Sequence, residues 1–85
     1  MIAELKPIYD SHKSFYGKAV VETKGNTVTL YSYNTKICSI IDKCQFIRYW
    51  DGYSATTNRH IVEFCLQNDF EPYYKKEWEN LPVAK

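Results

Sequence analysis

Residues 27–50 read TVTLYSYNTKICSIIDKCQFIRYW, and this stretch decides the fold. Its first part, Thr27–Tyr33, alternates with period two: Val28 and Leu30 fall on one face, Thr27, Thr29, Tyr31 and Tyr33 on the other. Asn34-Thr35 supplies turn chemistry. Lys36–Ile41 is a second β-rich run, and Asp42-Lys43 turns the chain into Cys44–Trp50. Upstream, Ser14–Thr23 (SFYGKAVVET) has the composition of a strand, and Lys24-Gly25-Asn26 turns it into Thr27. Strands joined by such short connections pair antiparallel with their neighbours in sequence. The expected sheet is a four-stranded antiparallel β-meander.

Downstream the period changes. Asp51-Gly52 ends the meander, and Ser54-Ala55-Thr56-Thr57 offers N-caps for a helix. Ala55, Ile61, Val62, Phe64, Cys65 and Leu66 then recur at helical spacing, through Gln67 or Asn68. Glu71-Pro72 opens a shorter helix carrying Tyr74, Trp78 and Leu81, which Pro82 stops. The order ββββα plus a short C-terminal helix defines an α+β domain over residues 14–85. Residues 1–13, which include Pro7, read as an N-terminal arm or short edge segment.

Composition bounds the function. Eighty-five residues and 10.1 kDa make one small domain, 45% hydrophobic and 25% charged. Fourteen aromatic residues, eight of them Tyr, supply large contact area for a small core or a sticky surface. A formal charge of +1 argues against a polyanion mimic and against a strongly basic nucleic-acid clamp. No apolar run has the length of a membrane helix, and residues 1–13 lack a secretory signal pattern. Three cysteines, Cys38, Cys44 and Cys65, without such a signal read as reduced thiols in a cytoplasm. A two-residue Asp42-Lys43 turn places Cys44 opposite Ile41 and Cys38 opposite Ile47, too far apart for a disulfide.

One main helix covers one face of a four-stranded sheet. The more apolar phase, with Val28, Leu30, Ile37, Ile41 and Ile47, is expected under it. The other phase collects Tyr16, Tyr31, Tyr33, Phe46 and Trp50 among Lys18, Thr29, Lys36 and Arg48. The arm and the Trp78 helix cover that face, or a partner does. A second candidate is the strand-to-helix corner, where Trp50, Tyr53, Thr56, Thr57, Arg59 and His60 surround a helix N-terminus suited to an anion. The plainer reading of that corner is a Ser54 or Thr57 cap with Trp50 and Tyr53 packed across it.

Other chemistries find little support. His12 and His60 are far apart and no C-x-x-C pair exists, so no metal site and no cofactor is expected. His60 and Cys65 lie about 140° apart around one helix, which does not bring imidazole to thiol. There is no phosphate-binding glycine loop, and the signature of sheet-type RNA-binding modules is missing.

Three stretches carry a resemblance: Phe15-Tyr16-Gly17-Lys18-Ala19, Leu30-Tyr31-Ser32-Tyr33-Asn34-Thr35, and Trp50–Thr57 (WDGYSATT) followed by His60-Ile61. Together they resemble a family of small uncharacterised proteins carried by phages, plasmids and conjugative elements of Gram-positive bacteria. The likeness covers residues 14–67, and its most specific part is the W-x-G-Y-S-x-T-T-x-x-H-I pattern. It implies a genomic setting and a fold but no catalytic residues. The leading expectation is a non-enzymatic interaction module, a homodimer that binds an unknown protein partner through the aromatic face or the corner. The alternative is a nucleic-acid or nucleotide binder using Tyr31, Tyr33, Lys36, Arg48 and the helix N-terminus.

Overall fold

The computed structural model describes residues 1–9 and 18–84. Three tight turns and one edge pairing make the sheet, whose strands are β1 (Ile2–Glu4), β2 (Ala19–Lys24), β3 (Thr27–Ser32), β4 (Thr35–Ile41) and β5 (Gln45–Arg48). They lie antiparallel in sequence order, so the fold is the expected α+β, with five strands rather than four. The extra strand is β1, which pairs Ile2 with Glu22 and Glu4 with Val20. Pro7 lies beyond it, where no ladder N–H is needed. The Met1 ammonium donates to the Thr23 carbonyl at 2.9 Å, the Leu5 N–H to that of Ala19 at 2.9 Å, and the Leu5 side chain is buried. The first residues are thus woven into the sheet. Tyr16 and the start of the expected Ser14–Thr23 strand lie outside the described residues.

Turn chemistry sets the register. Gly25, at φ 55°, takes the first central position of the β2–β3 turn, where L side chains are disfavoured. The next turn is Tyr33-Asn34, at φ 51° and 66°, one residue earlier than the expected Asn34-Thr35. Thr35 instead opens β4 opposite Ser32. A register shift between Leu30 and Tyr31 pairs Tyr31 with Lys36 and Leu30 with Cys38, leaving Ile37 as the extra residue of a bulge. The Ile37 carbonyl accepts from both Tyr49 and Trp50 N–H groups, at 2.9 and 3.3 Å.

The third turn overturns an expectation. Its loop has three residues, Asp42, Lys43 and Cys44, with φ of 53° and 58° at the first two, and Gln45 rather than Cys44 faces Ile41. Cys38 accordingly lies opposite Arg48, not Ile47. A one-residue slip sends every side chain of a strand to the other face. Leu30, Cys38 and Arg48 therefore form one row, and Val28, Ile40 and Phe46 the next, on the covered face. Ile41 and Ile47 join Thr27, Thr29 and Ser39 on the other face. The expected placing of Ile47 under the helix, and of Phe46 and Arg48 away from it, is reversed by this loop. Ile41 changes face because the β3–β4 turn and bulge set Ile40 rather than Ile41 opposite Val28.

Helix α1 (Ala55–Gln67) packs on the Leu30 face. Ser54 is its N-cap, accepting the Thr57 N–H at 3.0 Å. Thr57, Ile61, Phe64 and Cys65 form its buried stripe, closed by the ring of Trp78 from α2 (Lys75–Glu79). The C-terminus of α1 is a Schellman motif: Asp69 N–H donates to Leu66 O at 3.2 Å and Phe70 N–H to Cys65 O at 2.9 Å, with Asp69 at φ 55°. Buried Glu63 holds the chain after β1 by accepting Ile8 and Tyr9 N–H groups, each at 3.0 Å.

Arg48 fastens the C-terminal segment. Its Nε donates to Trp50 O at 2.7 Å and its Nη1 to Trp78 O at 3.0 Å and Leu81 O at 2.9 Å. The guanidinium lies 4.8 Å from the Trp78 ring centroid, and the Arg48 carbonyl accepts Ala84 N–H at 2.7 Å. Arg48→Ala leaves three carbonyls without this donor and should lower stability by about 2–4 kcal/mol. Urea unfolding measures it, and Arg48→Lys should recover only part, because an ammonium lacks the planar fork.

Cys38 and Cys65 are buried free thiols. Burial pushes the Cys65 thiol up from 9.0 to about 12, against a smaller opposing pull from a backbone hydrogen bond with Tyr73. Burial likewise holds Cys38 well above 9.0, helped by Cys65. Both native thiols keep their protons where the unfolded chain has lost them. That contribution to stability is complete below pH 9 and is lost as pH rises toward 12. Urea midpoints measured from pH 8 upward should therefore fall above about pH 9, and less steeply in Cys65→Ala.

Candidate functional site

The structure divides the sequence-derived site residues among three surroundings. Arg48 serves the interior, as described above. At the strand-to-helix corner, Thr57 and His60 are only 4% and 1% exposed. The Ser32 hydroxyl lies 2.9 Å from His60 Nδ1 and 3.4 Å from the Thr57 hydroxyl. These groups satisfy one another between β3 and α1, and among the described residues no buried side-chain N or O atom lacks a partner. Trp50 and Tyr53 are half-buried against the core. Trp50 lies so close over Gly52 that a Cβ there would come within 2.7 Å of its ring, and the Gly52 carbonyl accepts Trp78 Nε1 at 2.8 Å. Thr56 and Arg59 stay exposed on α1. Tyr33 is 51% exposed, its ring 6.0 Å from that of His60 and 6.0 Å from Lys18 Nζ. The corner is thus built of mutually packed side chains, with Ser54 taking the capping role.

Tyr31 belongs elsewhere, on the face of the sheet away from both helices. Alternation brings Glu22 and Lys24 of β2, Thr29 and Tyr31 of β3, Lys36 and Ser39 of β4, and Ile47 together there. Tyr49, just past β5, joins them: Lys36 Nζ sits 4.3 Å from its ring centroid. The Tyr31 hydroxyl donates to Glu22 Oε1 at 3.3 Å, and Lys24 Nζ lies 3.8 Å from Glu22 Oε2. Desolvation first, and then the Glu22 charge, push the Tyr31 hydroxyl above its usual 10.0, so it remains a neutral donor. In the middle, Thr29 and Ser39 share a 2.7 Å hydrogen bond. The centre of this face satisfies its own polar groups, while half-buried Ile41, Ile47, Tyr31 and Tyr49 supply apolar area around it.

Two residues of this surface, Ile47 and Tyr49, escaped the sequence reading because their face depends on the length of one loop. The sequence carries no marker of that length, since Cys44 in the loop and Gln45 at the start of β5 are both exposed. Chemically, the face suits a flat partner. Its two depressions, of about 220 and 270 Å³, fall below the usual volume of small-molecule sites. Among the described residues, no three His, Cys, Asp or Glu side chains converge as metal ligands, and no helix is long and apolar enough to cross a membrane.

No curated protein and no solved structure gives a significant match to the chain. A family model described as "Family of unknown function (DUF8033)" matches residues 3–80, a span that takes in all five strands, apart from Ile2, and both helices. The chain therefore belongs to this family of unknown function.

Proposed function

We propose that the protein is a non-enzymatic interaction module that pairs with a second copy of itself through the open sheet face, leaving its helical side for another protein. The observation that carries this reading is the placement of both helices on one side of the sheet. Ile41, Ile47, Tyr31 and Tyr49 are then only half covered on the other. The charges on that face are mixed, with Lys24 and Lys36 against Glu4 and Glu22, and a two-fold axis can set opposite signs against each other. The phage or mobile-element setting implied by the motif resemblance accords with a small module that acts by binding.

The size of the face sets the expected strength. Ordinary strand spacing and rise give a face of this kind about 400–500 Å² per partner, so about 800–1,000 Å² in total, at or just under the lower bound for a specific interface. The dimer should be weak and concentration-dependent. Sedimentation equilibrium from micromolar to millimolar protein should show the mass rising from 10.1 kDa toward twice that value. Ile47→Asp, on the face away from the core, should keep the circular dichroism spectrum and stay monomeric. A wild-type chain that remains monomeric throughout, or an Ile47→Asp chain that still dimerises, contradicts the proposal.

The nucleic-acid reading keeps one supporting observation: Tyr31 and Tyr49 share this face with Lys24 and Lys36. Against it, Glu22 sits among them and engages both Tyr31 and Lys24. Single-strand binding that weakens steeply with salt would favour it over the dimer.

A further inference from the structure

A cleft of about 850 Å³ lies on the helical side at the end where the β4–β5 loop meets the α1–α2 connection. Its walls are Lys43 and Cys44 from the loop and residues 69–74 with Glu77 from the helical layer. Those walls carry three carboxylates (Asp69, Glu71, Glu77) and one ammonium (Lys43), in a chain whose overall formal charge is +1. They also carry the rings of Phe70, Tyr73 and Tyr74, the last 54% exposed. An excess of negative charge beside aromatic faces is the chemistry that recognises a cation with a flat, weakly hydrated surface.

The walls are preformed even though residues 69–74 belong to neither helix. Phe46 anchors the aromatic pair from below, its ring 5.6 Å from Phe70 and 4.7 Å from Tyr73. Asn58 Nδ2 donates to the Tyr73 carbonyl at 3.0 Å, and the Schellman bond from Phe70 N–H fixes the start of the segment. Glu77 Oε1 accepts the Tyr74 N–H at 3.1 Å, which holds that carboxylate beside the Tyr74 backbone. Across the mouth, Lys43 Nζ lies 3.9 Å from Asp69 Oδ2, a solvent-exposed pair that an incoming cation can exchange at little cost.

We propose that this cleft is a docking site for an arginine side chain on an extended segment of a partner protein. A guanidinium stacks on tyrosine and phenylalanine faces and presents a planar fork to carboxylates, whereas an ammonium is a compact and strongly hydrated charge. The cleft volume lies within the range of specific ligand sites, well above that of one side chain, so it takes flanking backbone as well. Glu71 and Glu77 neutralise the cation, Tyr73 and Tyr74 stack on it, and Asp69 releases Lys43 to complete the acidic wall. The site is independent of the sheet-face pairing, which uses other residues.

The test is an amide chemical-shift titration of the full chain with a short Gly-Ser peptide bearing one arginine, alongside its lysine counterpart. The arginine peptide should perturb Lys43, Cys44 and residues 69–74, and bind at least about tenfold more tightly than the lysine peptide. Glu71→Gln/Glu77→Gln should weaken it by a further order of magnitude, while the spectrum stays dispersed because glutamine still accepts the Tyr74 N–H. Ile47→Asp should bind the peptide as the wild type does, which separates failure here from failure of the dimer. Equal binding of the two peptides, shifts confined to the sheet face, or an unchanged affinity in the double variant would overturn the proposal.

Discussion

The register of β5 against β4 is the constraint on which the remaining structure depends. The three-residue Asp42–Cys44 loop makes Gln45 the partner of Ile41, and so turns Phe46 and Arg48 toward the helices. Phe46 then meets Phe70, Tyr73 and Trp78, with ring centroids 5.6, 4.7 and 6.2 Å away. Arg48 binds the carbonyls at the end of α2 and beyond it. Both contacts draw the C-terminal segment onto the side that α1 already occupies. With the register one residue shorter, Ile47 would face that side, and neither contact would form. The open face is a consequence of this choice.

His60 and Arg48, which looked like chemistry in the sequence, prove with Glu63 to be interior fittings. A small domain has little apolar area to spend on accommodating polar groups, so those it buries must be fully partnered. His60 meets Ser32, Glu63 collects the backbone N–H groups of Ile8 and Tyr9, and Arg48 caps carbonyls. Each ties α1 or the C-terminal segment to a piece of chain distant in sequence. The polar interior thereby fixes which segments meet, while the apolar core of Leu30, Ile40, Phe64 and Trp78 supplies the driving force.

Element types were legible where the period was unambiguous. Thr27–Ser32 alternates and is β3, the stripe through Ile61 and Phe64 is α1, and Trp78 anchors a short second helix. That helix starts at Lys75 rather than at Glu71-Pro72 and ends at Glu79, before Leu81. What sequence could not give was phase. Lys36–Ile41 holds apolar residues at both phases, so alternation alone does not choose between Ile37 and Cys38; the bulge buries both. The β4–β5 turn presented the same problem, because Asp42 and Lys43 both take positive φ and leave Cys44 either in the loop or in the strand. β1 was obscured by its length of three residues, too short for a pattern. The aromatic and acidic run Phe70–Tyr74 was visible as FEPYY, but only the α1 C-terminal turn shows that it walls a cleft.

The most direct test of the account is a set of side-chain nuclear Overhauser contacts along β5. The register predicts contacts from the Phe46 ring to Tyr73 and Trp78, and from the Ile47 methyls to Ser39. Contacts from Ile47 to Phe64 or Trp78, with Phe46 beside Ser39, would show the opposite register. They would also remove the open face on which the functional proposal stands.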